Sequence, residues 1–221
     1  MVVNSSDSYP LLYPAGSNLT NPTTNAKWED KFWLKDTLYS LYDMFGAYKA
    51  GVKELVQNHF VGGTVYQAFL DPWCYHRWHS PVTGTVVKAY KLDGSYYLDK
   101  PGAFRDAEES YIESQPMLSI VSVRQIYIIK IKDTDLHVAV IEIGMAEVSS
   151  CISTVIEGQE VNAGDQLGYF QFGGSSHCVI FDKAMDVTIP PEYFVPDKFG
   201  NPVKQLVNSK LASYIVPAKK K

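Results

Sequence analysis

The chain has 221 residues, of which 46% are hydrophobic and 20% charged, so one sizeable core is possible and we expect a single domain over residues 1–221. The net charge of -4 indicates no nucleic-acid surface, and no apolar stretch approaches the roughly 18 residues of a membrane span, so we expect no stable membrane anchor. The three cysteines form no C-x-x-C pair, which favours a reducing, cytoplasmic compartment over a disulfide framework or thiolate metal site.

The first predicted elements are a loop and then short helices. Residues 8–25 are rich in Pro, Asn, Ser and Thr, a composition typical of loops. From Asp36 to Phe60, apolar residues recur at roughly helical spacing, with interruptions around Gly46 and Gly51. This pattern predicts one or two short helices.

After Gly62 the chain consists mainly of β-branched and aromatic runs. These runs predict strands at Thr64–Leu70, Gly84–Lys91, Leu118–Lys132, Leu136–Gly144, Gln166–Phe172 and Ser176–Asp182. Two segments, Ser80–Val87 and Val161–Gly168, combine a glycine turn with a short strand, as in small barrels that bend at glycines. We therefore expect a mostly β fold of the α+β class, a small flattened β-barrel or sandwich with peripheral helices.

Two glycines precede two serines at Gly173–Ser176. Glycine admits backbone conformations that are closed to other residues, and the ordinary interpretation is a turn between two strands. A strained Gly–Ser bond can also be reactive, because the Ser175 hydroxyl can attack the Gly174 carbonyl if a base and an oxyanion site lie nearby. The residues alone leave both alternatives open.

His76 and His79 lie in the segment Tyr75–Pro81, where a loop could direct both rings into one cleft for acid–base chemistry. Ordinary hydrogen-bonded histidines are an equal alternative. A metal site that also uses His177 or Cys178 is the third, but the helical i, i+4 histidine spacing with an adjacent glutamate is absent, so we predict no metal.

The two remaining histidines, His59 and His137, lie in amphipathic or strand-like runs. We predict structural roles for both.

The motifs, in their order along the chain, are Asn4–Asp7, Trp33–Lys35 with Tyr39–Leu41, Phe60–Gly63, Asp71–Pro81 and Gly168–Ser176. Together they resemble the phosphatidylserine decarboxylase family from about Val3 to Asp182. The string Tyr-His-Arg-x-His-x-Pro, followed later by Gly-Ser-Ser, carries most of this resemblance. The N-terminal region that precedes the aspartate motif in the family is missing, so we expect a truncated chain.

The resemblance implies a proenzyme that an Asp-His-Ser triad cuts, with the roles falling on Asp7, His79 and Ser175. His79 would be the base, oriented by Asp7, as in hydrolase triads. Ser175 would attack the Gly174 carbonyl to form an ester, and elimination and hydrolysis would then leave a covalent pyruvoyl group at position 175. The products would be a β chain, 1–174, and an α chain, 175–221.

The resemblance further implies that the pyruvoyl group forms a Schiff base with an amine substrate, as pyridoxal phosphate does elsewhere, so no external cofactor is needed. By the same resemblance His76 would protonate the carbanionic intermediate, a task suited to a near-neutral pKa.

The predicted cleavage site has the sequence Gly-Gly-Ser-Ser-His-Cys, whereas most phosphatidylserine decarboxylases have Leu-Gly-Ser-Thr there. Together with Trp73–Tyr75 and Ile143–Ser149, this motif is more similar to the fungal soluble aromatic L-amino-acid (tryptophan) decarboxylase branch. We therefore expect a small-molecule substrate, a free aromatic amino acid such as tryptophan. The alternatives are phosphatidylserine decarboxylation in phospholipid biosynthesis and a truncated, non-catalytic β domain. The sequence predicts no oligomeric state.

Overall fold

The computed structural model describes residues 8–10, 31–34, 37–70, 75–96, 118–145, 150–171, 175–190, 193 and 206–215. The helical segments are α1 (Leu41–Phe45), α2 (Val52–Leu55) and the π-helical turn Val56–Phe60. The described strands are β1 (Ser8–Pro10), β2 (Lys31–Leu34), β3 (Thr37–Ser40), β4 (Val65–Leu70), β5 (Arg77–His79), β6 (Gly84–Leu92), β7 (Arg124–Ile131), β8 (His137–Gly144), β9 (Ser150–Ser153), β10 (Glu160–Val161), β11 (Gln166–Gln171), β12 (Ser175–Phe181), β13 (Asp186–Thr188) and β14 (Ser213–Ile215).

A large antiparallel sheet forms the centre, with strand order β1-β4-β12-β8-β7-β6-β10. A smaller sheet has the order β5-β11-β9, and β13-β14 and β2-β3 form two-stranded pairs. The predicted α+β, mostly β class is confirmed. The described sheets are open rather than closed into a barrel, so the sandwich alternative describes them better.

One face of the large sheet packs against the smaller sheet. Because successive side chains of a strand point to opposite faces, Tyr127, Val140 and Val179 share this interior. Trp78 of β5 and Phe170 of β11 enter the same cluster from the smaller sheet. Burial of these apolar side chains from two sheets supplies the main force that holds the layers together.

The helices cover the opposite face of the large sheet. Phe45 and Phe60 stack with ring centroids 5.3 Å apart and belong to the same buried cluster as Ile128 of β7. The helical segments are interrupted as predicted, since Gly46 and Gly51 have φ values of 55° and 75° in the left-handed region, which favours glycine.

Three sequence predictions need correction. Within the predicted loop at residues 8–25, residues 8–10 form β1, which pairs with β4. Residues 37–40, inside the predicted helical region, form a strand that pairs with β2. Residues 118–120, at the start of a predicted strand, are helical, and β7 begins only at Arg124. The Arg124 side chain explains this late start, because it donates to the Ile120 and Ser122 carbonyls and so holds the chain in a bend. The tertiary contacts of Arg124 therefore override the local β propensity of this segment.

Candidate active site

Ser175 is the first residue of β12 and lies in a row of paired backbone positions at one end of the large sheet. Its partners are Leu70 of β4 and Gly144 of β8, and Leu70 pairs in turn with Ser8 of β1. Strands are about 4.8 Å apart, so two steps place the Ser8 and Ser175 backbones about 10 Å apart. Gly174, which is predicted to share the scissile bond with Ser175, and the predicted orienting residue Asp7 lie outside the described residues.

A buried acid–base pair lies beside this row. His177 Nδ1 and Glu142 Oε1 are 2.6 Å apart, at directly paired positions of β12 and β8. Their side chains are 2% and 0% exposed. The second oxygen, Glu142 Oε2, has no hydrogen-bond partner among the residues that the structure describes. A carboxylate with one unsatisfied buried oxygen is costly, and such groups are concentrated at functional sites.

Burial raises the pKa of Glu142 above its usual value, and the nearby His177 and His79 oppose that rise. His79 belongs to the smaller sheet and His177 to the large sheet, so histidines of both sheets lower the pKa of this one carboxyl group.

Ser176 lies on the other face of β12 and anchors the strand. Gln67 Nε2 donates to Ser176 Oγ at 2.8 Å and to Ser119 Oγ at 3.3 Å, and Ser176 Oγ donates to the Ala68 carbonyl at 3.3 Å. This buried network ties β12 to β4 immediately after Ser175. It stabilises the backbone at the candidate scissile position.

His79 is half-buried at the end of β5, with both ring nitrogens engaged. Nδ1 donates to the Gly164 carbonyl at 2.8 Å, and Nε2 lies 2.7 Å from the Tyr75 hydroxyl. Because a carbonyl only accepts, the neutral ring carries its proton on Nδ1, and the Tyr75 hydroxyl donates to the Nε2 lone pair. This is the tautomer that a general base needs, with the lone pair on Nε2.

The Gly164 carbonyl is positioned by a turn. Asn162 N donates to Asp165 Oδ2 at 2.7 Å, and Gly164 has φ of 93°. Gly164 N donates to the Ser80 carbonyl and Ser80 N to the Asp165 carbonyl, both at 2.8 Å. The glycine turn noticed in the sequence thus presents its carbonyl to His79.

His76 is half-buried directly before β5. Its carbonyl accepts from Phe170 N at 3.0 Å, and its ring meets the Phe170 ring edge-on with centroids 6.3 Å apart. Trp78 packs against the same Phe170 ring at 4.7 Å and lies over Gly168, where any Cβ would lie 2.6 Å from the indole ring. Aromatic packing therefore orients this end of the smaller sheet.

Three of the four predicted catalytic residues, His76, His79 and Ser175, lie in the part of the chain that the structure describes. His79 ends a strand of the smaller sheet, His76 lies directly before that strand, and Ser175 begins a strand of the large sheet. The metal alternative gains no support, because His177 Nδ1 is engaged by Glu142, and Cys178 lies on the opposite face, where burial raises its thiol pKa.

Sequence reasoning missed Glu142 and Tyr75. A signal for Glu142 was present, since a single carboxylate interrupts the apolar run His137–Gly144. Tyr75 gave none, because only the folded loop brings its hydroxyl to His79. No helix in the described part of the chain has the length and apolar character needed to cross a membrane.

The described part of the chain is thus mostly β and combines a buried Glu142–His177 pair, a half-buried His79 and a serine at the first position of β12. The family model described as phosphatidylserine decarboxylase matches residues 3–197. The chain belongs to this family.

Its relatives include fungal decarboxylases of different names. Decarboxylase iboD of Amanita muscaria is 40% identical over 190 residues, which are 81% of this chain and 53% of that protein. The L-tryptophan decarboxylase of Psilocybe cyanescens is 35% identical over 190 residues, 80% of this chain and 40% of that protein. Phosphatidylserine decarboxylase proenzyme 2 of Komagataella phaffii is 36% identical over 151 residues, which are 68% of this chain and 14% of that protein. The chain thus spans about half or less of the length of these relatives.

Proposed function

We propose that this chain is a self-processing, pyruvoyl-dependent decarboxylase of a free L-amino acid, with an aromatic substrate such as tryptophan. The observation that carries the proposal is the row of paired backbone positions through Leu70, Ser175 and Gly144, which lies beside the buried His177–Glu142 pair. The His79 ring, whose proton is held on Nδ1 by the Gly164 carbonyl, adds a lone pair on Nε2. Membership of a decarboxylase family supports the reaction class.

The proposed cleavage uses groups of the chain itself. His79 accepts the Ser175 hydroxyl proton on Nε2, and the serine oxygen attacks the Gly174 carbonyl, which shifts the acyl group from nitrogen to oxygen. Elimination releases the Gly174 carboxylate and leaves dehydroalanine, and water converts its imine tautomer to ammonia and the ketone. The Gly164 carbonyl supports this role because it keeps the His79 proton on Nδ1. In the same proposal, Asp7 helps to orient the His79 ring.

The residues present fit a pyruvoyl group at position 175. Ser175 pairs with Leu70 on one side and Gly144 on the other, so both neighbouring strands would hold the new chain end after cleavage. The group supplies a ketone that condenses with the substrate amine and accepts the electrons left by carbon dioxide. We propose that His76 then donates the proton that completes the reaction, with its ring oriented by Phe170.

The substrate class is supported by the relatives. Those named decarboxylase iboD or L-tryptophan decarboxylase are 35–40% identical to this chain, whereas those named phosphatidylserine decarboxylase proenzyme are 28–36% identical, and one of the latter covers 93% of the chain. That lipid match is the observation that favours the second candidate, phosphatidylserine decarboxylation. The single domain and the cytoplasmic location stay predictions.

Intact-mass spectrometry tests the self-cleavage. Wild-type protein should yield chains 1–174 and 175–221, the second lighter by one ammonia than a chain that begins with serine. Ser175→Ala should stay whole, and Ser95→Ala, the same change at an exposed serine, is the control that should still be cut. A wild-type chain that remains uncut after long incubation at neutral pH would refute the proposal.

Separate variants assign the two histidines. His79→Ala should block cutting, whereas His76→Ala should be cut normally but release no carbon dioxide from substrate. Equal cutting of His79→Ala and wild type would exclude His79 as the base. Carbon dioxide release from tryptophan, phenylalanine and phosphatidylserine then decides the substrate, and turnover of the lipid alone would establish the second candidate.

A further inference from the structure

A second cluster of titratable side chains lies at the other end of the large sheet. His59 belongs to the π-helical turn, His137 begins β8, and Asp182 directly follows β12. Asp182 is seven residues beyond Ser175 along one strand, roughly 20 Å at about 3.3 Å per residue. The cluster is therefore separate from the candidate active site, and its role does not rest on the proposed function.

Three potential ligand atoms converge there. His59 Nδ1 is 2.7 Å from Asp182 Oδ2, the two histidine Nδ1 atoms are 3.1 Å apart, and His137 Nδ1 is 4.0 Å from Asp182 Oδ2. A tetrahedral ion with bonds of about 2.0–2.1 Å holds its ligand atoms about 3.3 Å apart. The three separations lie on either side of that value, so shifts of less than 1 Å would place the three atoms on one face of a tetrahedron.

Hydrogen bonds among His59, His137 and Asp182 do not by themselves explain why these three atoms lie so close together. The ring centroids of His59 and His137 are 3.9 Å apart, and the same nitrogen of each ring faces the other. A single proton on His59 Nδ1 would have to serve both the Asp182 carboxylate and the His137 nitrogen. A cation bound at the centre would instead accept one lone pair from each of the three atoms.

The carboxylate is held in place by the backbone. Asp182 Oδ1 accepts from Ala184 N at 2.9 Å, and Oδ2 accepts from His137 N at 3.1 Å. The main chain adds two further links, from Asp182 N to the His137 carbonyl at 3.0 Å and from Lys183 N to the His59 carbonyl at 2.7 Å. Such outer hydrogen bonds fix the orientation of metal ligands.

Access and charge are compatible with an ion. The Asp182 and His137 side chains are 3% and 9% exposed, but His59 is 24% exposed, which leaves the cluster accessible from solvent. Lys130 opposes a cation because it pairs across the sheet with His137. Asp135 balances that charge, with Oδ1 3.4 Å from Lys130 Nζ.

We propose that His59, His137 and Asp182 bind a divalent ion of the zinc type, with two imidazoles and one carboxylate as ligands. The ion joins the end of the helical segment to β8 and to the chain after β12. Its role is structural, because it links the helical layer to the central sheet at the edge away from Ser175.

Titration of untagged, chelator-treated protein with Co²⁺ tests the site, since tetrahedral Co²⁺ absorbs strongly in the visible range. Wild type should bind one equivalent that Zn²⁺ displaces and Mg²⁺ does not. His59→Ala should weaken binding at least about 100-fold, because it removes a ligand outright, whereas loss of an outer partner alone costs 10- to 100-fold. Gln57→Ala, an exposed change in the same turn, is the matched control and should bind like wild type.

A thermal scan provides the second readout. Zn²⁺ should raise the melting temperature of wild type and Gln57→Ala but not of His59→Ala, and circular dichroism should show that all three are folded. Equal Co²⁺ affinity of wild type and His59→Ala would overturn the proposal, since His76, His79 or His177 would then be the binding residues. We expect a dissociation constant of about 0.1 μM for the wild-type site. No binding of wild type at about 0.1 mM ion, roughly a thousandfold higher concentration, would therefore overturn the proposal as well.

Discussion

His177 and Glu142 form a buried pair across β12 and β8, 2.6 Å apart, in which the second carboxylate oxygen has no partner among the described residues. The pair lies two residues beyond Ser175 along β12. Removal of one member leaves the other buried without its partner, which typically costs 3–5 kcal/mol.

We therefore expect Glu142→Ala to lower the free energy of unfolding by about 3–5 kcal/mol in urea titrations. The double variant Glu142→Leu/His177→Leu should cost clearly less than the sum of the two single changes, because it leaves no buried charge. Strict additivity in this double-mutant cycle would contradict a coupled pair.

The hydrogen bond from the Tyr75 hydroxyl to His79 Nε2 occupies the lone pair that His79 would use as the proposed base. Tyr75→Phe keeps the ring, which stacks on His79 with centroids 5.6 Å apart, and removes only the hydroxyl. A neutral hydrogen bond is worth about 1 kcal/mol, so self-cleavage should become about fivefold faster.

The rate is measured by the appearance of chain 175–221 over time. Tyr75→Leu is the companion variant, since it removes the stacking as well and should lose the acceleration. Slower cleavage by Tyr75→Phe would show instead that the hydroxyl assists His79.

Arg124 holds the end of α1 against the start of β7. Its guanidinium donates to the carbonyls of Met44 at 2.8 Å and Asp43 at 2.6 Å, in addition to those of Ile120 and Ser122. An ammonium cannot reproduce this planar fork, so Arg124→Lys should lower the free energy of unfolding by about 2–4 kcal/mol.

The control for this change is Lys88→Met, which breaks an exposed ion pair with Glu157 at 3.4 Å. Such pairs contribute less than about 1 kcal/mol. Similar losses for Arg124→Lys and Lys88→Met in the same denaturant series would contradict the proposed importance of the buried guanidinium.

Burial, assisted by Glu142, raises the pKa of Cys151 from 9.0 to about 12. The thiol therefore ionises first in the unfolded chain, and its stabilising contribution is present below pH 9 and lost as the pH rises towards 12. Wild type should lose about 1 kcal/mol more stability between pH 8 and pH 10 than Cys151→Ala does.

Denaturant unfolding at several pH values measures this difference, and the common titration of other groups cancels in the comparison. Peptide-resolved alkylation of native protein at pH 8 should also modify Cys151 slowly. Parallel stability curves for both proteins from pH 8 to pH 10 would rule out a raised pKa.

Sequence patterns predicted the parts of the fold that depend on local chemistry. The strands at Val65–Leu70, Gly84–Leu92 and His137–Gly144 follow from β-branched runs, and the helix breaks follow from Gly46 and Gly51. The sequence motifs around His76, His79 and Ser175 also indicated the family, and the match to the family model confirms that prediction. Their catalytic roles stay predictions.

Only the tertiary structure decided which distant side chains meet. Glu142 and His177 are 35 residues apart in sequence, His79 and Gly164 are 85 apart, and His59 and Asp182 are 123 apart. Strand register and the packing of two sheets determine these contacts, and neither is encoded in the spacing of residues along the chain. For this reason His59 and His137, each predicted as a structural residue, became a candidate ion site only when the fold brought Asp182 beside them.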